Sequence, residues 1–362
     1  MVGYSLASTM SVGSERYVHD KGLNLEVPRL TIEAQFGRTF AAGRPKGELE
    51  LMKIAVIGAG AMGCLFAGRL AQAGHDVVLV DIFQPQIDAL NEHGLLLTDD
   101  IGSFRINSQA ARAAELSGAR ELLIFFTKAI HTAAAARDAK HLFGPDSWAL
   151  TVQNGIGNDD AIAAHIGRER LIVGMTNYSA DLVSMGQVAT QGFGEIRIWA
   201  AEQASPRVSE IANCLDEAGL VCRTDANVQN AIWEKVTFNA AMNAVAAITR
   251  LPVGGLAEDP DARDLLRRIV EEGSAVARAA GHVIDPAHVW TVIEAAFAAH
   301  RDHKPSMLQD ILAGRLTEID AINGAIVVHG RKRGVSTPYN DALTALVRVI
   351  QRSAQRTTGM TG

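Results

Sequence analysis

The stretch AIWEKVTFNAAMNAV, residues 231–245, sets Lys235, Asn239 and Asn243 four residues apart in an otherwise apolar run. On an α-helix such positions drift by only about 40° per step, so an ammonium and two amides share one face. A lysine held beside a carbonyl oxygen stabilises developing charge and donates a proton, and amides can fix a polar substrate next to it. The competing explanation is structural: a lysine reaching out to solvent, with asparagines at the helix's polar edge.

A second group stands near the start of a β-rich region. Gly58-Ala59-Gly60-Ala61-Met62-Gly63 fits G-x-G-x-x-G, preceded by the apolar run KIAVI and followed by the helical CLFAGRLAQAG. In that setting the first glycine makes the tight turn and the second lets backbone approach a pyrophosphate. The third allows close helix–strand packing, and the helix N-terminus faces the phosphates. The next strand, DVVLV, ends in Asp81, eighteen residues after Gly63. An acid there accepts hydrogen bonds from the adenosine ribose hydroxyls and repels a 2′-phosphate. The adjoining VLVDIFQPQ contains no Arg or Lys, so NAD(H) is favoured as cofactor over NADP(H).

These groups need particular elements to hold them. From Met52 short β-rich runs alternate with helical ones: KIAVIG, DVVLVD, ELLIFFT (121–127) and WALTVQ (148–153). The helical AIHTAAAARDAKHLF lies between the last two. Such alternation predicts a Rossmann-like, doubly wound parallel sheet. The segment GQVATQGFGEIRIWA suits an edge hairpin. Beyond about residue 225 strand patterns stop, and helices are expected over 227–249, 259–281, 286–300, 306–330 and 338–355. The division expected is an N-terminal extension (1–51), a dinucleotide-binding domain (52–225) and an all-helical substrate domain (226–355). Met52 is an alternative start.

Composition narrows the function classes. Of 362 residues 48% are apolar and 20% charged, an ordinary globular balance with room for two cores. A formal charge of −6 offers no basic surface for nucleic acid, and GRKRG at 330–334 reads as a solvated helix end. Three cysteines, Cys64, Cys214 and Cys222, without C-x-x-C spacing, fit a reducing cytoplasm. No apolar run is long enough for a bilayer, and no metal-ligand motif such as H-E-x-x-H occurs. The alanine-rich helices leave both intrachain packing and a homodimer open.

Taken in order, KIAVIGAGAMG, FFTKA, TVQNGIG, WEKVTFNAAMN and HKPSMLQDILAGRLTEIDAING resemble the ketopantoate reductase (2-dehydropantoate 2-reductase) family, from about Met52 to the C-terminus. The resemblance implies a Rossmann domain followed by a helical domain, with the active site between them. It implies hydride transfer from the nicotinamide to C2 of a 2-oxo acid, with 2-dehydropantoate becoming pantoate. Lys235 then matches the proton-donating lysine, Asn239 and Asn243 match substrate-binding asparagines, and Ser306 matches the serine at the substrate carboxylate. Glu318 matches a glutamate facing substrate and cofactor; Lys128 and Asn154 match cofactor-side residues, and Ala180 a backbone contact to it.

Two positions depart from the family pattern. Asp81 stands where NADPH-using members carry a basic residue, and Val253, in LPVGG, replaces an asparagine in the loop after the catalytic helix. An amide lost from a pocket changes what the pocket holds. Two further readings therefore stand beside 2-dehydropantoate reduction. One is an NAD-dependent dehydrogenase of a related branched 2-hydroxy acid, working oxidatively; the other is a non-catalytic NAD(H) sensor.

Overall fold

The computed structural model describes residues 51–359, with side chains to residue 353, so the expected extension over 1–51 lies almost wholly outside the described residues. The described residues belong to one compact unit. The chain runs β1 (Lys53–Ile57), α1 (Ala61–Gln72), β2 (Asp76–Val80), α2 (Gln84–His93), β3 (Leu95–Thr98), β4 (Ser103–Ile106) and β5 (Gln109–Ala111). It continues through β6 (Arg120–Phe125), α3 (Ala129–Ala139), β7 (Phe143–Thr151), α4 (Asn158–Ile166), β8 (Leu171–Thr176), β9 (Ala180–Ser184) and β10 (Gln187–Thr190). Next come β11 (Ile196–Ala200), α5 (Pro206–Glu217) and β12 (Cys222–Thr224), and then helices alone: α6 (Val228–Thr249), α7 (Val253–Glu258) and α8 (Pro260–Ala279). The last four are α9 (Pro286–Ala299), α10 (Ser306–Leu312), α11 (Asn323–Arg333) and α12 (Pro338–Gly359).

The main sheet has the order β12-β11-β8-β7-β6-β1-β2-β5. Its strands from β5 to β8 pair in parallel, and β11 turns antiparallel to β8. Helices cover both faces, so the central strands read as unbroken apolar runs: Ile54, Val56, Leu122 and Ile124 are fully buried. Each such side chain stabilises the fold by roughly 1.5–3 kcal/mol relative to exposure. The expected Rossmann-like sheet followed by a helical region is the architecture found.

Three expectations are corrected. GQVATQGFGEIRIWA forms no hairpin: β10 belongs to a separate four-stranded sheet, β4-β3-β10-β9, while β11 joins the main one. Residues 306–330 are two helices, because Gly314 takes a left-handed φ of +67° and the backbone stays irregular to Ile322. The expected turn around Val253 winds into α7, whose first residue Val253 is buried in the helical core, with its N–H bonded to His303 O at 3.0 Å. That bond, with Gly254 N–H to Arg301 O at 2.7 Å, ties the 301–303 loop to the start of α7.

Among the described residues no helix is long and apolar enough to cross a membrane. Nor does any group of three or more His, Cys, Asp or Glu there form a potential metal site.

Candidate active site

The glycine loop follows β1 as required. Gly58 has φ +104° and donates its N–H to Val80 O at 2.7 Å. A Cβ on it would stand 2.8 Å from Phe126 C, and one on Gly63 only 1.8 Å from Gly58 O, so neither position admits a side chain. Gly60 differs: nothing lies within 4 Å of where its Cβ would be, and it caps α1 without any side-chain bond. Open space in front of an uncapped helix N-terminus, bounded by Ala59, Ala61 and Met62, is a cradle for a pyrophosphate.

Asp81, just past β2, is anchored over this loop. Its Oδ2 accepts from Ala59 N at 2.7 Å, and Oδ1 accepts from Ile82 N at 2.8 Å and Phe83 N at 2.9 Å. Four acceptor sites on a carboxylate leave capacity for a ribose hydroxyl. Gln86, which sequence reasoning missed, is buried beneath, giving Nε2–H to Ala59 O at 2.8 Å and accepting from Gly186 N at 3.0 Å.

The C-terminal ends of β6 and β7 are tied by a second network. Gln153 donates to Thr127 O and, at 2.9 Å, to Thr132 Oγ1, which bonds Asn158 Oδ1 at 3.1 Å. Asn158 Nδ2 returns to Asn154 O at 3.0 Å. The Asn154 amide thus sits on a fixed backbone, and its own side chain has no hydrogen-bond partner among the described residues. Lys128, the N-cap of α3, reaches out of the sheet instead: Nζ donates to Leu316 O at 2.7 Å and pairs with Asp310 Oδ1 at 2.7 Å. Buried Asp310, at the end of SMLQD, also holds Arg315 Nε at 3.0 Å.

Lys235 lies on α6 with its ammonium bonded to Thr176 O at the end of β8. Burial pulls its amine down from 10.5 to about 8, and nearby Glu318 opposes that shift. Glu318 stands in the irregular stretch between α10 and α11, where burial pushes its carboxyl above the usual range. The Ala129 N–H, accepted at 3.4 Å, and the charges of Lys128 and Lys235 work against that rise, while Asp310 adds to it. The structure therefore brings Lys128, Lys235, Asp310 and Glu318 into one electrostatic group.

Asn239 and Asn243 are 9% and 5% exposed, yet neither side chain has a hydrogen-bond partner among the described residues. Ser306 is the exposed first residue of α10, and Pro305 occupies the N-cap, so the serine is not a capping group. Ala180 opens β9 opposite Thr190, whose hydroxyl fixes Ser179 O at 2.7 Å. No hydrogen bond joins Ser306 or Ala180 to the lysine group. A separate cavity of about 190 Å³ is lined by Gln153, Arg168, Trp233, His282 and His329 and by none of the predicted residues. Its arginine is already paired with Asp159 and Asp160.

The site's residues fit a bound dinucleotide: a side-chain-free cradle, an anchored acid at the second strand and polar groups at the strand ends. The family model described as ketopantoate reductase PanE/ApbA matches residues 54–203, and its C-terminal counterpart matches 227–351. A 2-dehydropantoate 2-reductase of Streptococcus pyogenes serotype M3 is 31% identical over 298 residues, covering 82% of this chain and 97% of that protein. Among solved structures, D-mandelate dehydrogenase with NADH and anilino(oxo)acetate aligns at TM-score 0.80 and 32% identity, over 84% of this chain and 99% of the other. A PanE/ApbA family ketopantoate reductase from Ralstonia eutropha JMP134 aligns at TM-score 0.78 and 31% identity, over 84% and 100%. The chain belongs to the ketopantoate reductase family of nicotinamide-dependent oxidoreductases.

Proposed function

We propose that the chain interconverts a 2-hydroxy acid, bulky at C3, and its 2-oxo acid with NAD(H), working from the hydroxy acid toward the oxo acid. The observation that carries this reading is Lys235, an amine drawn to about 8 beside two unpartnered, buried amides. A lysine in that range is present in both forms near neutrality, as proton exchange in either direction requires.

A nicotinamide bound in this site would supply the acceptor for the hydride leaving C2 of the hydroxy acid. The neutral amine of Lys235 takes the hydroxyl proton as the carbonyl forms, and the ammonium returns it in reduction. Asn239, Asn243 and Ser306 orient the acid, their free donors matching its carboxylate and C2 oxygen. Glu318 holds the substrate's hydroxyl side and its charge supports the lysine's. Gly58, Gly60 and Gly63 with the first turn of α1 hold the pyrophosphate, Asp81 accepts from the ribose hydroxyls, and Lys128, Asn154 and Ala180 line the cofactor side.

Likeness to D-mandelate dehydrogenase with NADH supports an aromatic or branched C3 group and NAD(H). The Streptococcus pyogenes relative supports a second reading, reduction of 2-dehydropantoate. Nicotinamide absorbance separates the two when the purified chain is given mandelate with NAD+, and ketopantoate with NADH or NADPH. Turnover of mandelate with NAD+ is the expected result. Turnover of ketopantoate alone, with NADPH preferred, overturns the proposal in favour of the second reading.

A further inference from the structure

Asp81 has a neighbour that the local sequence conceals. β5 pairs in parallel with β2, Val80 opposite Ala111, and Asp81 donates its N–H to Ala111 O at 3.2 Å. The next residue on that strand, Arg112, therefore stands beside Asp81 at the same end of the sheet. Its Nε donates to Gln84 Oε1 at 3.1 Å, which leans the guanidinium across the start of α2. Glu115 accepts from the Arg112 backbone N–H at 2.9 Å, and among the described residues no carboxylate pairs with the guanidinium. The side chain is exposed. An unpaired arginine thus adjoins the acid assigned to the adenosine ribose, where a 2′-phosphate would have to sit.

We propose that Arg112 is the binding group for a 2′-phosphate and that Asp81 holds this capacity in check, so the site is a suppressed NADP(H) site. The inference rests on the dinucleotide reading above. A guanidinium offers two parallel donors to a phosphate, and the fixed carboxylate alongside repels the same group. Three backbone N–H groups hold Asp81 in place, so its charge cannot swing away from the incoming phosphate.

The test is calorimetric binding of NADP+ and NAD+ to the full chain, without turnover. Asp81→Asn, which keeps the shape and one of the two acceptor oxygens while removing the charge, should lower the NADP+/NAD+ ratio of dissociation constants by about tenfold. Adding Arg112→Ala to that variant should reverse the gain, and Arg112→Ala alone should raise the ratio. The NADP+ constant of Asp81→Asn should also weaken with salt more steeply than its NAD+ constant. A ratio that does not respond to Arg112→Ala in either background overturns the inference while leaving NAD(H) binding intact. Failure of both nucleotides to bind the wild-type chain overturns the dinucleotide reading, and this inference with it.

Discussion

Two sets of buried amides meet helix α6, and they are treated in opposite ways. Asn323 and Asn340 are fully buried and their amide nitrogens are bonded: Asn323 Nδ2 donates to Ala240 O at 3.0 Å and to Asn340 Oδ1 at 3.0 Å, while Asn323 Oδ1 alone has no partner among the described residues. Glu272 then accepts from Asn340 Nδ2 at 2.8 Å and from the backbone N–H groups of Tyr339 and Asn340 at the start of α12. Asn239 and Asn243, on α6 itself, are nearly as buried and have no partner among the described residues. The Asn239 and Asn243 amide atoms are not sealed from solvent, so they go without protein partners at little cost in stability. The first set organises the helical region, and the second keeps donors and acceptors that the proposed substrate would use.

The largest effect that could break this contrast is on turnover. Lys235→Ala should lower kcat by about 10²–10⁴-fold while calorimetry still detects NAD+ binding. Near-normal kcat would remove the lysine, and with it the reason for the neighbouring amides. Glu272→Ala, on the structural side, should cost about 3 kcal/mol in denaturant unfolding, since three donors lose a charged acceptor. A change below about 0.5 kcal/mol would erase the distinction from that side.

Asn239→Ala should raise KM for the acid about tenfold and leave the melting temperature unchanged or higher, because no protein hydrogen bond is lost. A lowered melting temperature with unchanged KM would place Asn239 in the structural set.

The smallest signal is a pH profile. With the Lys235 amine drawn down from 10.5 to about 8, oxidation needs the neutral form, so kcat/KM for the hydroxy acid should rise toward that value and level above it. Reduction should fall over the same range. The unfolded chain binds more protons between about 8 and 10.5, so stability should rise with pH there. A flat rate profile through pH 8 would assign the proton transfer to another group.

How much of this was legible in the sequence depends on how far apart the cooperating residues lie. The central strands read directly, because a parallel strand covered on both faces is a continuous apolar run. The lysine face read equally well, since α-helical spacing is local. The four-stranded sheet did not, because it pairs Leu97 with Val188 across a long stretch of chain and its strands have only four or five residues each. Gly314 breaks a pattern that stays helical on both sides, so two helices read as one. Among site residues, Gln86, Arg112 and Asp310 acquire their roles through pairing and packing that leave no local trace. The contacts of the Lys128 ammonium with Asp310 and Leu316 O likewise join residues far apart in the chain and leave no trace in the sequence.

That clasp bears on how the chain can be recombined. Besides Lys128 with Asp310, Ile156 N–H bonds Ala321 O at 2.9 Å, Ala129 N–H reaches Glu318, and Lys235 bonds Thr176 O. Each bond joins a residue of the sheet region to one on the helical side, and three use backbone atoms, one at both ends and two at one. A chimera spliced before α6, with its sheet taken from one relative and its helices from another, would keep both halves' cores. It would still mismatch this seam unless residues 128 and 310 were inherited as a pair. Compatibility at the splice would then show first in catalysis and only afterwards in folding.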